Sequence, residues 1–165
     1  MTSPLLKPDP KLDLVIERDI DVPVELVWKA WTTPKHLREW FVPRPWGLSD
    51  ATVDLRVGGA FNFTIRSPEG EEFPHFNCYL DVVPNERLIF TDTLLGGFRP
   101  SAKPFLSFTG ALQIERRGAG THYVAMAIHG DEATQKKHDE MGFYDGWGTA
   151  TTQLIEFIKS GGLER

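Results

Sequence analysis

The chain has 165 residues, of which 41% are hydrophobic and 25% are charged, and its formal net charge is −5 at pH 7. This length suits one domain with a substantial core. The negative charge and the scattered basic residues argue against a nucleic-acid partner, and no apolar run approaches the ~20 residues that cross a bilayer. We predict a single domain over residues 12–160, preceded by a flexible N-terminal arm over residues 1–11.

The cysteine and aromatic contents bear on location and on the type of core. Cys78 is the only cysteine, so it cannot form an internal disulfide. Because the N-terminus also has no apolar segment of a signal peptide, we predict a cytoplasmic location. Aromatic residues make up 12% of the chain, which is typical of a dense core or of an aromatic-lined cavity.

The first predicted elements are a strand and two short helices. Apolar and polar residues alternate over residues 12–22, which predicts a strand. Val24–Trp31 has apolar residues at helical spacing, and Pro23 stands where a first turn tolerates proline. A second short helix is predicted over Lys35–Trp40, and the prolines at positions 43 and 45 end it.

The middle of the chain alternates with a period of two, which predicts an antiparallel meander of hairpins. The predicted strands are residues 51–57, 60–66, 76–83, 87–95, 105–115 and 121–130. Gly58-Gly59 reads as a tight turn. In the second of these strands the pattern places Phe61, Phe63 and Ile65 on one face. In the third it groups Phe76, Cys78, Leu80 and Val82.

One long C-terminal helix is predicted to begin near Asp131, which is a candidate N-cap together with Thr134. Its apolar positions form one broad stripe: Met141, Tyr144, Trp147, Thr151, Leu154, Ile155 and Ile158. Lys137, His138 and Gln153 are assigned to its polar surface. Gly142, Gly146 and Gly148 lie in its middle, and each costs about 0.8–1 kcal/mol relative to alanine. A kink, close packing against the sheet, or space left for a ligand would each explain them.

Four segments together resemble a known family. They are VDLRVGGAF at 53–61, PNERLIFTD at 84–92, MGFYDGWG at 141–148, and the proline and tryptophan pattern of 23–40. From about Leu12 to Ile158 the chain resembles the START-like (SRPBCC) helix-grip superfamily. The most similar branch is named for the C-terminal domain of the activator of Hsp90 ATPase and is often labelled polyketide cyclase-like. The resemblance implies an α+β fold in which a curved seven-stranded antiparallel sheet grips the C-terminal helix, with a cavity between them.

The sequence shows few catalytic motifs. None of the five histidines forms His-x-x-x-His spacing, and a single cysteine cannot supply a thiolate cluster. We therefore predict no metal centre and no cofactor. Cys78 is interpreted as a small buried hydrophobe. Asp92 shares a face with Leu88 and Phe90, so its carboxylate faces either the interior or a loop at the mouth, and His129 and Arg99 are candidate partners.

The residues that we expect to line a ligand cavity are mostly aromatic. They are Trp40, Phe41, Trp46, Phe61, Phe63, Phe76, Phe90, Asp92, Phe108, His129, Met141, Tyr144 and Trp147. The tryptophans at positions 28 and 31 are assigned to the core. On the last strand, the small alanines at 125 and 127 favour the face that points His129 inward.

Three functions remain open at this point. The leading hypothesis is a module that binds a hydrophobic or aromatic small molecule. The second is a cyclase-, aromatase- or hydrolase-like enzyme that uses Asp92, His129 and Tyr144 in the same cavity. The third, which the resemblance raises, is a stress-related partner of an Hsp90-type chaperone. A large apolar patch on the convex face of the sheet would instead predict a homodimer.

Overall fold

A computed structural model of the protein describes residues 6–164. The chain forms β1 (Asp13–Ile20), α1 (Val24–Thr32) and α2 (Pro34–Trp40). The strands β2 (Gly47–Val53), β3 (Ala60–Arg66), β4 (Glu72–Val83), β5 (Arg87–Thr91), β6 (Leu94–Leu95), β7 (Arg99–Pro100), β8 (Phe108–Arg117) and β9 (Gly120–His129) follow. The chain ends with α3 (Glu132–Glu140), α4 (Phe143–Lys159) and a 3-10 turn over Gly162–Glu164.

Seven strands form one antiparallel sheet in the order β1-β9-β8-β5-β4-β3-β2, and β6 pairs with β7 in a separate small hairpin. Most neighbouring strands are connected by hairpins, and β1 forms one edge of the sheet by pairing with β9. The predicted α+β helix-grip architecture is therefore confirmed. The second predicted strand begins earlier than expected, at Gly47, and the predicted strand 87–95 is divided into β5 and β6.

The main core lies between the inner face of this sheet and the three helices α1, α2 and α4. Phe61, Leu88, Leu112 and Tyr123 from the sheet are buried in one cluster with Leu154 of α4. A smaller cluster on the outer face joins Leu6 to Ala111 and Met126. Leu6 belongs to the predicted N-terminal arm and is buried there, whereas positions 1–5 of that arm lie outside the described residues.

The predicted C-terminal helix is divided in two. The Asp131 carboxylate accepts a hydrogen bond from the Thr134 amide at 2.8 Å, so the helical segment begins with the predicted cap. It ends at Glu140, and Gly142 then adopts a φ of +93°, a left-handed conformation that favours glycine. The prediction of one continuous helix from Asp131 is wrong, and the break lies at the first of its three glycines. None of the helices within residues 6–164 combines the length and apolar character needed to span a bilayer.

The inner face of β4 differs from the prediction. A β-bulge between Tyr79 and Asp81 inserts Leu80 as an extra residue, and the alternation of side chains changes at that point. Before the bulge, His75 pairs with Phe63 and Asn77 pairs with Phe61, so these polar residues share the inner face. Phe76, which was predicted to line the cavity, and Leu80, which was predicted to share its face, are 53% and 36% exposed.

Candidate functional site

A cavity of about 300 Å³ lies between the inner face of the sheet and the helices. The sheet contributes mainly apolar residues: Phe63, Ile65, Phe90, Phe108, Tyr123 and Ala125. From α1, α2 and the following loop come Trp31, Trp40, Phe41, Val42 and Pro43. The helices α3 and α4 contribute His138, Met141, Gly142, Phe143, Gly146, Trp147, Ala150 and Thr151.

The rim of the cavity is apolar and exposed. Phe76, Phe105 and Met141 line it, yet each is more than half exposed to solvent. They come from β4, from the segment before β8 and from the junction of α3 and α4. Lys103 is an exposed charged residue in the same lining. Exposed phenylalanine and methionine side chains around an opening are typical of an entrance for apolar molecules.

A buried glutamine attaches one wall of the cavity to α4. The Gln153 side chain donates to the carbonyl oxygens of Trp40 and Val42 and accepts from the amide of Arg44. These hydrogen bonds hold the loop after α2 at a fixed distance from the helix. Sequence reasoning placed Gln153 on the polar surface, but it is buried, because a loop distant in sequence provides its partners.

Asp92 is buried and lines the cavity, but its carboxylate serves the backbone. One oxygen accepts from the Leu106 amide at 2.7 Å and the other from the Phe108 amide at 2.9 Å. The carboxylate thus holds the segment that leads into β8. The proposed pairing with His129 or Arg99 does not form: His129 bonds to other partners and Arg99 is exposed.

Nine of the thirteen residues predicted for the cavity line it: Trp40, Phe41, Phe63, Phe76, Phe90, Asp92, Phe108, Met141 and Trp147. The structure places the other four elsewhere. Phe61 is buried in the core, and His129 lies behind His138. Trp46 is 42% exposed and packs against the exposed Phe73, and Tyr144 is 51% exposed.

The three side chains named for an enzyme therefore do not converge on one enclosed point. Asp92 already accepts two backbone hydrogen bonds, and Tyr144 lies on the surface. Tyr123 is another phenol in the wall, and burial raises its pKa to about 12, which keeps it neutral. Its hydroxyl accepts a hydrogen bond from the Trp31 indole at 3.2 Å. Within residues 6–164, no group of three or more His, Cys, Asp or Glu side chains is arranged to hold a metal ion.

Sequence reasoning missed several polar residues of the cavity, among them His75, Asn77 and His138. The ring of His75 stacks on Phe63 at 5.1 Å, and burial lowers its pKa while the charge of Asp92 opposes that shift. Asn77 is 3% exposed, and among residues 6–164 its side-chain amide has no hydrogen-bond partner. His138 was assigned to the helix surface, which is wrong, because it is 7% exposed.

The comparisons with known proteins identify the family. The model of the family described as Activator of Hsp90 ATPase homolog 1-like protein matches residues 21–159, so the chain belongs to this family. A search of curated proteins finds no match. A crystal structure of a Nitrosomonas europaea protein is 42% identical, with a TM-score of 0.90 over 94% of this chain and 99% of the other.

Two more distant structures share the fold. A Mycobacterium smegmatis protein is 20% identical, with a TM-score of 0.78 over 94% of this chain and 96% of its own. An AHSA1-like protein from Aeromonas hydrophila is 20% identical, with a TM-score of 0.69 over 92% of this chain and 95% of its own. The family match and the seven-stranded sheet packed against α4 make the chain a member of the START-like helix-grip superfamily.

Proposed function

We propose that this member of the Activator of Hsp90 ATPase homolog 1-like family binds a hydrophobic or aromatic small molecule in the cavity between the sheet and the C-terminal helices. The observation that carries the proposal is an aromatic-walled space of about 300 Å³ with an exposed apolar rim. Small-molecule sites range from about 300 to 1,000 Å³ and are lined mainly by apolar and aromatic side chains. The cavity lies at the small end of that range, which favours a ligand of one or two fused rings or a short acyl chain.

The wall supports binding because several of its polar groups are already paired within the protein. The indole nitrogens of Trp31 and Trp40 donate to Tyr123 and to the carbonyl of Ala30, respectively. The Thr151 hydroxyl donates to the carbonyl of Trp147. An apolar ligand that displaces water here leaves these hydrogen bonds intact. It gains about 25 cal/mol for each Å² of apolar surface that it buries.

The glycines of α4 also support the proposal. A Cβ atom built at Gly146 meets no atom within 4 Å, and Gly146 lines the cavity. Close packing between helix and sheet therefore does not explain this glycine. Gly142 forms the break between α3 and α4, next to the exposed Met141 of the rim. Flexibility of glycine and methionine at this junction gives a ligand a way past the rim.

A binding screen tests the proposal. The purified chain is mixed with short-chain fatty acids and with phenols and other aromatic compounds of one or two rings, and its melting temperature is measured. A ligand at 100 times its Kd stabilises the folded state by about 2.7 kcal/mol. For a chain of this size that corresponds to a rise of about 5–10 °C.

Tryptophan fluorescence locates the bound molecule. Trp31, Trp40 and Trp147 line the cavity, whereas the exposed Trp46 does not. In a Trp46→Phe variant we expect a stabilising ligand to change the emission as much as in the wild type. If no compound of the panel raises the melting temperature, or if the fluorescence change disappears with Trp46, the cavity is not the binding site and the proposal is wrong.

A further inference from the structure

Two buried histidines form a hydrogen-bonded pair at the end of β9. His129 is the last residue of that strand, and His138 lies in the last turn of α3. Nε2 of His129 lies 2.9 Å from Nδ1 of His138, and Nδ1 of His129 lies 2.7 Å from the carbonyl oxygen of Leu12. The two rings are 4% and 7% exposed. The pair thus connects Leu12, the residue before β1, to the wall of the cavity.

The partners of this pair determine its tautomers. A carbonyl oxygen only accepts hydrogen bonds, so Nδ1 of His129 carries a proton and donates to Leu12. When His129 is neutral, its Nε2 has a lone pair and accepts. Nδ1 of His138 must then be the donor in the bond between the rings. In neutral His138 this leaves Nε2 without a proton, as a hydrogen-bond acceptor.

That acceptor belongs to the cavity. His138 lines it, and within residues 6–164 its Nε2 has no hydrogen-bond partner. Because this unpaired nitrogen is not fully enclosed, it keeps some accessible surface. The edges and faces of Phe108, Phe143 and Trp147 pack around the ring at centroid distances of 5.1, 5.3 and 6.1 Å and hold its orientation.

We propose that the His129–His138 pair presents a fixed hydrogen-bond acceptor to the cavity, and that the ligand is therefore an apolar molecule with a hydroxyl or N–H donor, such as a phenol or an alcohol. This inference rests on the proposed binding function and specifies the ligand class. A buried acceptor that loses its water to a ligand without a donor is left unpaired, which costs affinity. The pair therefore discriminates between ligands of equal size.

The electrostatic environment supports an acceptor rather than a base. Burial, and then the proximity of His129, lower the pKa of His138 to about 4. The ring is therefore neutral at physiological pH and accepts a hydrogen bond without taking the proton. A general base that works near neutral pH needs a pKa close to 7. The geometry and the low basicity together assign His138 to recognition.

Matched ligands test the inference. Binding of 2-naphthol and of 2-methylnaphthalene is measured at pH 8, where an ordinary histidine is neutral. The two compounds have nearly the same shape, but only the naphthol donates a hydrogen bond. A purely apolar cavity binds the methyl compound more tightly because it is the more hydrophobic. We expect the wild type to reverse that order and to bind 2-naphthol about five to ten times more tightly.

Variants assign the preference to His138. The His138→Phe variant keeps an aromatic ring of similar size but removes the acceptor, so we expect it to bind 2-methylnaphthalene more tightly than 2-naphthol. His36 provides the control: it is buried against Phe157 and does not line the cavity. The His36→Phe variant is expected to keep the preference of the wild type.

The outcomes separate the two proposals. If both compounds bind the wild type and the methyl compound is preferred, the inference is wrong while the binding function stands. The same conclusion holds if His138→Phe retains the preference for naphthol. If neither compound binds, both proposals lose their support. If His138→Phe does not fold, ¹⁵N NMR spectra of the wild-type histidines test the inference instead. A proton on Nε2 of His138 at pH 8 would contradict it. So would an Nε2 signal that does not shift when 2-naphthol is added.

Discussion

The glycines of α4 offer a direct way to separate helix stability from cavity volume. Gly146 lines the cavity and Gly148 does not, although both lie in the same helix with no atom within 4 Å of an added Cβ. In a helix interior, alanine is more favourable than glycine by about 0.8–1 kcal/mol. Gly146 donates the first hydrogen bond of α4, to the carbonyl of Gly142. There we expect the gain to be somewhat smaller, about 0.5–1 kcal/mol.

Gly146→Ala and Gly148→Ala are both expected to raise the melting temperature, by about 1–4 °C for a chain of this length. Leucine at the same positions then separates the two sites. Leucine adds four side-chain carbon groups relative to glycine. Each is about as large as a water molecule of 30 Å³, so together they occupy on the order of 120 Å³. From position 146 that volume takes more than a third of the roughly 300 Å³ cavity. From position 148 it takes none.

The assay is ligand binding by calorimetry, with 2-naphthol or any stabilising compound from the screen, together with thermal unfolding of each variant. We expect Gly146→Leu to weaken binding at least tenfold and Gly148→Leu to leave it within twofold of the wild type, while both variants unfold cooperatively. Equal binding to Gly146→Leu and to the wild type would refute the placement of the ligand. A similar loss in both variants would instead indicate a general effect on α4.

Two further predictions concern buried ionisable groups. Asp92→Ala removes the carboxylate that accepts hydrogen bonds from the Leu106 and Phe108 amides. We expect the free energy of unfolding, measured with urea, to fall by about 2–4 kcal/mol and both amides to exchange hydrogen faster. Exchange at the wild-type rate would contradict this role of Asp92. The pKa of His138 falls from 6.5 to about 4 on folding. The unfolded chain therefore binds its proton first as the pH falls, and stability is lost between about pH 6.5 and 4. Because the His138 ring keeps some exposure at the cavity, we expect this loss of stability to be smaller than the full pKa shift implies, about 2 kcal/mol. If the urea midpoints of His138→Phe fall with pH as steeply as those of the wild type, His138 is not the cause.

The architecture could be predicted from the sequence because its determinants are local. Alternation in β3 places Phe61 on the inner face, and turn residues such as Gly58-Gly59 mark where hairpins reverse. Once the strands follow one another in hairpins, antiparallel neighbours are nearly unavoidable. The cavity-lining aromatic residues on these strands follow from the same alternation.

The inner face of β4 was mispredicted because its hydrophobic pattern is misleading. Phe76, Cys78 and Leu80 form one apolar face as expected, but it is the face opposite to that of His75 and Asn77, and the bulge at Leu80 moves Val82 away from it. The turn at residues 67–71 pairs Arg66 with Glu72, and counting back along both strands from that pair brings His75 opposite Phe63. Register taken from the turn therefore identifies the inward histidine, whereas hydrophobicity does not.

His138 could not be found by pattern because α3 has no apolar stripe. Only His138 of that helix is buried, and its polar partner His129 belongs to another element. Such a pair depends on how a strand end and a helix meet in space. A polar helix also gives no reason to choose one face over another.

The break at Gly142 connects these observations. If α3 and α4 formed one straight helix, its direction would be set by the packing of α4 against the sheet, through Phe143, Leu154 and Ile158. A residue with φ of +93° releases α3 from that direction, and alanine would adopt this conformation only at a cost of roughly 1–2 kcal/mol. With α3 free to turn, His138 reaches the end of β9 and bonds to His129. The same glycine therefore places both the apolar entrance at Met141 and the acceptor behind it, which links access to the cavity with the choice of ligand.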